Sequence, residues 1–180
     1  DDSFHSLCKC EKCRALRTGA DHNIIMMNAI IRGLRAYDSD AKLSCIAYAD
    51  FLDVPELKPD EGLFLEFAPM QRNQRVPMRD PNDAKNSEYR ALLTQLLNIF
   101  EPSSSRVLEY WLDNAFNSGF VKPPKRLVYD EEVVDDDIRF YTSLGFGLIT
   151  TFGSYMGSDY RALYGDPPAL EYGRSLEKNM

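Results

Sequence analysis

Residues 106–116, RVLEYWLDNAF, decide the fold of this chain, because they have the pattern of a strand that ends in polar residues. Successive side chains of a strand point to opposite faces. One face would carry Val107, Glu109, Trp111 and Asp113, and the other Leu108, Tyr110 and Leu112. We expect the second face, which is mostly apolar, to pack under helices.

The face that carries Glu109 and Asp113 has two alternative environments. An unpaired carboxylate is costly to bury, so this face could meet solvent, as one face of an antiparallel sheet does. Alternatively, it lines a barrel or cleft in which a ligand binds. The alternation of strands and helices elsewhere in the chain favours the second environment, because it predicts a barrel into which this face would point. There, each carboxylate is expected to be either paired or functional.

Outside this strand, the hydrophobic pattern alternates between helical and strand-like periods. Helices are predicted over 21–37, 87–100, 135–144 and 169–178, and strands over 43–50, 62–70, 106–116 and 147–155. Asp21 and Ser87 are the predicted N-caps of the first two helices. The acidic run 135–137 is predicted to start the third helix, where negative charge complements the helix dipole.

Strands that alternate with helices predict a parallel sheet. We therefore expect an α/β fold with about four mainly parallel strands and flanking helices, which is half of a TIM-type (β/α)8 barrel. Residues 1–180 are expected to form a single α/β domain, the C-terminal part of a larger barrel. The connection between strands 43–50 and 62–70 has room for one helical turn at most.

Composition restricts the kinds of partner. The chain has 180 residues, 44% of them hydrophobic and 27% charged, and its net charge is -7. This acidic balance disfavours nucleic acid and anionic membrane surfaces, because both carry negative charge. No apolar segment approaches the roughly 20 residues that span a bilayer. No glycine-rich phosphate loop is present, and no cofactor is expected.

Polar and aromatic residues lie at or just after the carboxyl ends of the predicted strands, where the active sites of parallel α/β barrels lie. They are Tyr48, Asp50, Arg72, Trp111, Asp113, Asn114 and Tyr155, with Glu66 and Glu109 deeper in their strands. Aromatic rings suit the C–H faces of sugars, and a glycosidase needs two carboxylates that flank the bond. The pattern therefore favours a carbohydrate site.

The four carboxylates among these residues also have structural interpretations. Asp50 could solvate a loop, and Asp113 could cap the turn after its strand. Glu66 and Glu109 could form ion pairs with Arg72, Arg75 or Arg106.

The N-terminal segment contains a C-x-C-x-x-C run formed by Cys8, Cys10 and Cys13. With His5, these cysteines could bind zinc, although the spacing differs from that of a paired C-x-x-C knuckle. A disulfide such as Cys8–Cys13 is a second alternative, and reduced thiols are a third. We expect thiols or a disulfide in preference to a metal. Cys45 is expected in the core.

Four segments of the chain carry a resemblance to a known family. They are CKCEKCRAL (8–16), AYADFLDVPELKPDEGLFLEFAPMQRN (47–73), VLEYWLDNAF (107–116) and ITTFGSYMGSDYRALYGDPP (149–168). In the same order, they resemble the bacterial domain of unknown function 4838, which is similar to glycoside-hydrolase barrels of the alpha-glucuronidase and hexosaminidase type. The resemblance implies a carbohydrate partner and a secreted or periplasmic protein. It also implies that Asp2 stands where family members have an acidic residue just before the cysteine run.

These observations together predict a glycoside-hydrolase-like domain that acts on a polysaccharide or glycan by carboxylate acid/base chemistry. The carboxylate candidates are Asp2, Asp50, Glu109 and Asp113. The candidates for positioning sugar are Tyr48, Arg72, Trp111, Asn114 and Tyr155. The alternatives are a carbohydrate-binding barrel without catalysis, and a structural module stapled by its cysteine cluster.

Overall fold

The computed structural model describes residues 7–180, and its centre is a sheet of four parallel strands. The strands are β1 (Leu43–Ala47), β2 (Leu63–Phe67), β3 (Arg106–Asp113) and β4 (Ile149–Ser154). They lie side by side in the order of the chain, and every neighbouring pair is parallel. The prediction of an α/β domain with four parallel strands and flanking helices is confirmed.

Seven α-helices accompany the sheet in the described part of the chain. They are α1 (Glu11–Arg14), α2 (Gly19–Arg35), α3 (Ala84–Leu96), α4 (Asn114–Asn117), α5 (Glu131–Ser143), α6 (Ser158–Tyr164) and α7 (Ala169–Asn179). A single 3-10 turn, Ala49–Phe51, follows β1, which agrees with the expected short connection to β2. None of the helices within residues 7–180 is both long and apolar enough to span a bilayer.

Helices α2 and α3 begin earlier than their sequence pattern predicts. Thr18, not Asp21, caps α2, and its hydroxyl accepts a hydrogen bond from the Asp21 N–H at 3.1 Å. Asp83, not Ser87, caps α3, and its carboxylate accepts from the Asn86 N–H at 2.8 Å. Apolar periodicity marks only the apolar residues of a helix, so it does not reveal a first turn whose buried residues are polar, such as Asp21 in α2 and Asn86 in α3.

The acidic run in α5 lies inside the helix, which corrects the prediction that it begins there. Asp130 caps the helix and accepts from the Glu132 N–H at 3.1 Å. Asp135, Asp136 and Asp137 follow one turn later, and all are buried. The positive end of the helix dipole therefore does not explain these carboxylates, and each pairs with a cationic side chain outside its own turn.

The hydrophobic core lies between the helices and one face of the sheet. Leu65 and Phe67 of β2, Val107 and Trp111 of β3, and Ile149 of β4 belong to the same buried cluster. Core side chains from four helices cover them: Ile24 of α2, Leu93 and Leu96 of α3, Val134, Ile138 and Tyr141 of α5, and the partly buried Tyr172 and Leu176 of α7. The helices that form the core thus pack on one side of the sheet.

The two faces of β3 are opposite to the prediction. Val107, Glu109 and Trp111 are buried beneath the helices, whereas the face with Leu108 and Tyr110 points away from them. The prediction fails because the polar atoms of Glu109 and Trp111 are hydrogen-bonded inside the core, which removes the penalty for burying them.

The second face of the sheet carries an aromatic row and an ion pair. The Tyr110 ring stacks on Tyr48 with 6.4 Å between centroids and lies 5.8 Å from Phe152. Glu66 accepts hydrogen bonds from Arg106 at 2.6 Å and from the Ser44 hydroxyl at 2.5 Å. The sheet and its helices are compatible with a partial (β/α)8 barrel, and a Rossmann-like fold is equally possible.

The first residue of α2 must be glycine, because the Asp50 carbonyl approaches it closely. A Cβ added to Gly19 would lie 1.8 Å from the Asp50 oxygen. We expect Gly19→Ala to lower the free energy of unfolding by about 1–3 kcal/mol, since the backbone after β1 must move.

Gly33 in the same helix is the matched control for this substitution. No atom lies within 4 Å of a Cβ at Gly33. Gly33→Ala should therefore raise the free energy of unfolding by about 0.5–1 kcal/mol, through helix propensity alone. Urea unfolding of both variants measures the two effects, and effects of the same sign would contradict the close contact between Gly19 and Asp50.

Candidate functional site

The carboxyl ends of β2 and β3 open into a cleft of about 560 Å³. It is lined by Met70, Gln71, Arg72, Asn73, Gln74, Arg75, Tyr110, Trp111, Asp113, Phe116, Asn117, Leu127 and Val128. These residues come from the segment after β2, the end of β3, the end of α4 and the segment before α5. The cleft therefore lies at the edge of the sheet where the candidate residues were predicted to lie.

A second cleft of about 330 Å³ lies beside the first. Met70 and Gln71 line both clefts, so the two are neighbours along the same edge. The second cleft also contains Tyr48 and Asp50, which follow β1. The edge thus offers two adjoining concave surfaces with amide, carboxylate and aromatic groups.

A buried ion cluster is centred on Arg72 and lies beneath the larger cleft. The Arg72 Nε donates to Glu109 Oε1 at 2.8 Å and to Oε2 at 3.1 Å, and Nη2 donates to Asp137 Oδ2. The side chains of all three residues are fully buried. One guanidinium therefore serves two carboxylates, which leaves the cluster one negative charge in excess when both are ionised.

Neutral donors complete the cluster. The Tyr141 hydroxyl donates to Glu109 Oε1 at 2.5 Å. The Met78 N–H donates to Asp137 Oδ1 at 2.5 Å, and the Trp111 indole N–H donates to Oδ2 at 3.2 Å. These bonds connect β3, α5 and the segment after β2, so the cluster fixes the position of the cleft floor.

Burial and the excess negative charge perturb the ionisation of the cluster. Burial, with a further contribution from Glu109, raises the pKa of Asp137 to about 6, although Arg72 acts in the opposite direction. Burial alone would lower the pKa of Arg72, but Glu109 and Asp137 raise it above its ordinary value. Burial and the Glu109 charge also hold the pKa of Tyr141 well above its ordinary value. Arg72 therefore stays charged, and Asp137 gains a proton as the pH falls below its pKa of about 6.

The structure brings three candidate residues together in this cluster: Glu109, Arg72 and Trp111. Arg72 and Glu109 have no exposed side-chain surface, and the Trp111 ring packs 5.9 Å from the Tyr172 ring in the core. Their arrangement matches the structural interpretation of Glu109 as an ion-pair partner. Arg72 and Trp111 also line the larger cleft, so the cluster forms part of its floor.

Asp113 and Asn114 organise the turn that leaves β3. Asp113 Oδ1 accepts from the Ser154 hydroxyl at 2.5 Å and from the Ala115 N–H at 3.1 Å, so Asp113 caps α4. Asn114 is fully buried, and its amide donates to the carbonyls of Lys125 at 2.9 Å and Tyr155 at 3.3 Å. Asp113 lines the cleft as well as capping the helix, whereas Asn114 ties neighbouring loops together.

The remaining candidates lie apart from the cluster. Tyr155 has a positive φ of 53°, and the Lys122 ammonium lies 4.2 Å from the centroid of its ring. Tyr48 donates to the Met70 sulfur at 3.4 Å, and Asp50 lies in the 3-10 turn after β1. Asp2 lies outside the described residues.

The sequence contained a signal for two residues that were not predicted in the site, Asp137 and Tyr141. Val134, Asp137, Ile138 and Tyr141 are spaced i, i+3, i+4 and i+7, which is one face of a helix. A carboxylate on such an apolar face predicts a buried partner, and Arg72 is that partner. Glu131–Ser143 would have to be recognised as the helix before this spacing could be used.

The cysteine run forms a separate cluster around the start of α1. The Sγ atoms of Cys8, Cys10 and Cys13 lie within 4.8 Å of one another, and all three are free thiols. Hydrogen bonds from the Cys13 N–H and from the neighbouring thiols lower the pKa of Cys10, and the bond to Cys10 raises the pKa of Cys13 to about 11. Cys45 is buried in the core, as predicted. His5 lies outside the described residues.

No protein-family model, curated protein or solved structure matches this chain, so its family is not assigned by likeness and its function is inferred from the geometry of the cleft.

Proposed function

We propose that the larger cleft binds carbohydrate, within a glycoside-hydrolase-like domain. The observation that carries this proposal is the chemistry of the cleft wall at the carboxyl end of the sheet. Gln71, Gln74 and Asn117 supply amides, Arg75 supplies a guanidinium, and Asp113 supplies a carboxylate. These groups match sugar hydroxyls, which both donate and accept hydrogen bonds.

The same cleft has an apolar platform that the sequence pattern does not indicate. Phe116 lines the cleft and is 58% exposed, and its ring meets the exposed Phe120 ring edge to face at 6.3 Å. An exposed aromatic ring beside polar groups suits a ligand with hydroxyls on its rim and C–H groups on its face. Trp111, the predicted platform, is buried beneath the cleft and supports it.

We also propose that the sheet is part of a (β/α)8-type barrel. Two observations support this: the strands follow one another in chain order, and the core-forming helices cover one face of the sheet. In barrels of this type, sites lie at the carboxyl ends of the strands, which is where both clefts open. A secreted or periplasmic location, implied by the resemblance, belongs to the same proposal.

Binding of soluble polysaccharides by the full chain tests the first proposal. We expect Gln71→Ala to weaken binding about 3- to 10-fold, because the lost hydrogen bond is worth roughly 1 kcal/mol. Gln95→Ala is the matched control, since Gln95 is also exposed but lies on α3, outside both clefts. Equal effects of the two substitutions, or no binding to any polysaccharide in a broad panel, would contradict a carbohydrate site.

Hydrolysis is the second candidate function, and one observation favours it. Asp50 and Asp113 each line one of the two adjoining clefts, which share Met70 and Gln71, so the joined surface carries two carboxylates. Acid/base hydrolysis of a glycosidic bond needs two such groups. Glu109 fits this role less well, because its carboxylate is fully buried against Arg72.

The Asp113→Asn variant distinguishes hydrolysis from binding alone in the same experiment. Asparagine caps a helix as well as aspartate does, so α4 should be retained. If Asp113 takes part in hydrolysis, the variant keeps glycan affinity and loses turnover of a labelled polysaccharide. Turnover that is unchanged in the variant would exclude Asp113 from the chemistry.

A further inference from the structure

The thiol cluster of Cys8, Cys10 and Cys13 lies outside both clefts, and the proposed function does not use it. Three thiols from separate positions converge so that every pair of sulfurs lies within 4.8 Å. Cys8 and Cys10 are exposed and Cys13 is half-buried, so an ion in solution can reach all three sulfurs. The odd number of thiols also means that one disulfide would leave a cysteine unpaired.

The separation of the sulfurs matches the coordination of a thiophilic ion. Three sulfurs bound to one tetrahedral zinc ion at about 2.3 Å lie about 3.8 Å from one another. Sulfur atoms within 4.8 Å of one another reach that geometry through small rotations of the three side chains. Thiolate ligands select soft or borderline ions such as Zn²⁺ and Cu⁺ over Mg²⁺ and Ca²⁺.

We propose that Cys8, Cys10 and Cys13 together bind one thiophilic metal ion, for which residues 7–180 supply these three ligands. Binding converts three thiols to thiolates, and their protons pass to solvent. Zinc with three thiolates carries one excess negative charge. Residues 8–17 contain one acidic residue, Glu11, and four basic ones, Lys9, Lys12, Arg14 and Arg17. The net positive charge of this segment offsets the negative charge of the zinc–thiolate group.

The contacts that hold the segment with the three cysteines in place are weak. Helix α1 has no buried residue, so the hydrophobic core does not anchor it. Its polar contacts include Arg14 Nε to the Lys9 carbonyl at 2.5 Å and an exposed ion pair between Arg17 and Glu56 at 3.3 Å. Such exposed pairs contribute about 1 kcal/mol or less. A bound ion would link residues 8–13 to one another, five residues before α2, whose first residue, Gly19, packs against Asp50.

Metal titration of the full chain tests this proposal. Reduced, chelator-treated protein is titrated with Zn²⁺ against a chromogenic chelator, and separately with Co²⁺, which reports thiolate ligation through charge-transfer absorption. We expect one equivalent to bind. Serine at any one of the three positions should weaken binding by at least about a hundredfold, because even loss of an outer-shell partner costs about 10- to 100-fold. A parallel titration with Cu⁺ identifies which thiophilic ion the site prefers.

Cys45→Ser is the matched control, since Cys45 is a buried thiol outside the cluster. It should leave the stoichiometry and the charge-transfer bands unchanged. Trypsin gives an independent readout, because Lys9, Lys12, Arg14 and Arg17 are cleavage sites within the segment. Zinc should slow cleavage there in the wild-type chain and not in the Cys8→Ser variant. Absence of stoichiometric binding to reduced protein, or equal loss in Cys45→Ser, would overturn the proposal.

Discussion

Replacing Arg72 by methionine is expected to lower the free energy of unfolding by about 3–5 kcal/mol, because the substitution leaves two carboxylates buried without their cation. Arg72 makes two hydrogen bonds to Glu109 and one to Asp137, and all three side chains are fully buried. Methionine fills much of the same volume, so the loss would reflect charge more than packing. Denaturant unfolding at neutral pH measures it.

Arg79→Met is the matched control for this prediction. Arg79 also pairs with an aspartate of α5, Asp136, but its side chain is 59% exposed. Exposed ion pairs contribute little, so we expect a loss of about 1 kcal/mol or less. If Arg72→Met costs no more than Arg79→Met, the Arg72 cluster does not hold the cleft floor as described.

A triple variant separates the loss of the cation from other effects of the substitution. Arg72→Met combined with Glu109→Gln and Asp137→Asn removes every charge. It keeps an acceptor for Tyr141 and for one of the two N–H groups, of Met78 and Trp111, that donate to different oxygens of Asp137. We expect it to recover at least half of the stability that Arg72→Met loses, because no buried charge is left unpaired. A triple variant that is as unstable as the single one would show that packing, and not charge, dominates at this position.

The Arg72 cluster also shows how far the sequence predicts this fold. The alternation of strands and helices was sufficient to predict the parallel sheet, since the hydrophobic periods of strands and helices are local properties of the chain. The orientation of β3 was not predictable in the same way. A glutamate on a strand indicates solvent or a polar cleft unless its partner is known, and Arg72 lies 37 residues away in the chain.

The candidate site was predicted in part, for the same reason. Strand ends are local features, and Asp50, Arg72, Trp111 and Asp113 do line the two clefts. Which of these side chains reach the cleft depends on distant partners. Trp111 turns into the core because Asp137 accepts its indole N–H, and Phe116 becomes the exposed ring because Asp113 begins α4 directly after the strand. Neither relation is visible in the spacing of β3 alone.

Lowering the pH from about 6 to about 4 is expected to stabilise the wild-type chain relative to Asp137→Asn. The pKa of Asp137 is raised from 3.8 to about 6, so between these values the folded state binds a proton that the unfolded state does not. The stabilisation is therefore complete below about pH 3.8 and is lost as the pH rises through about 6. A shift of this size corresponds to about 3 kcal/mol at most.

Asp135→Asn provides a control of opposite sign on the same helix. Burial acts to raise the pKa of Asp135, but hydrogen bonds and the ammonium of Lys178, 2.5 Å from Oδ2, lower it overall. Lowering the pH below about 3.8, the ordinary pKa of an aspartate, should therefore destabilise the wild-type chain relative to Asp135→Asn. Denaturant unfolding of the three proteins from pH 6 to below pH 3.8 measures both differences. Parallel pH curves for the wild type and Asp137→Asn would mean that Asp137 stays ionised, and that a single guanidinium is enough to hold both buried carboxylates in their charged form.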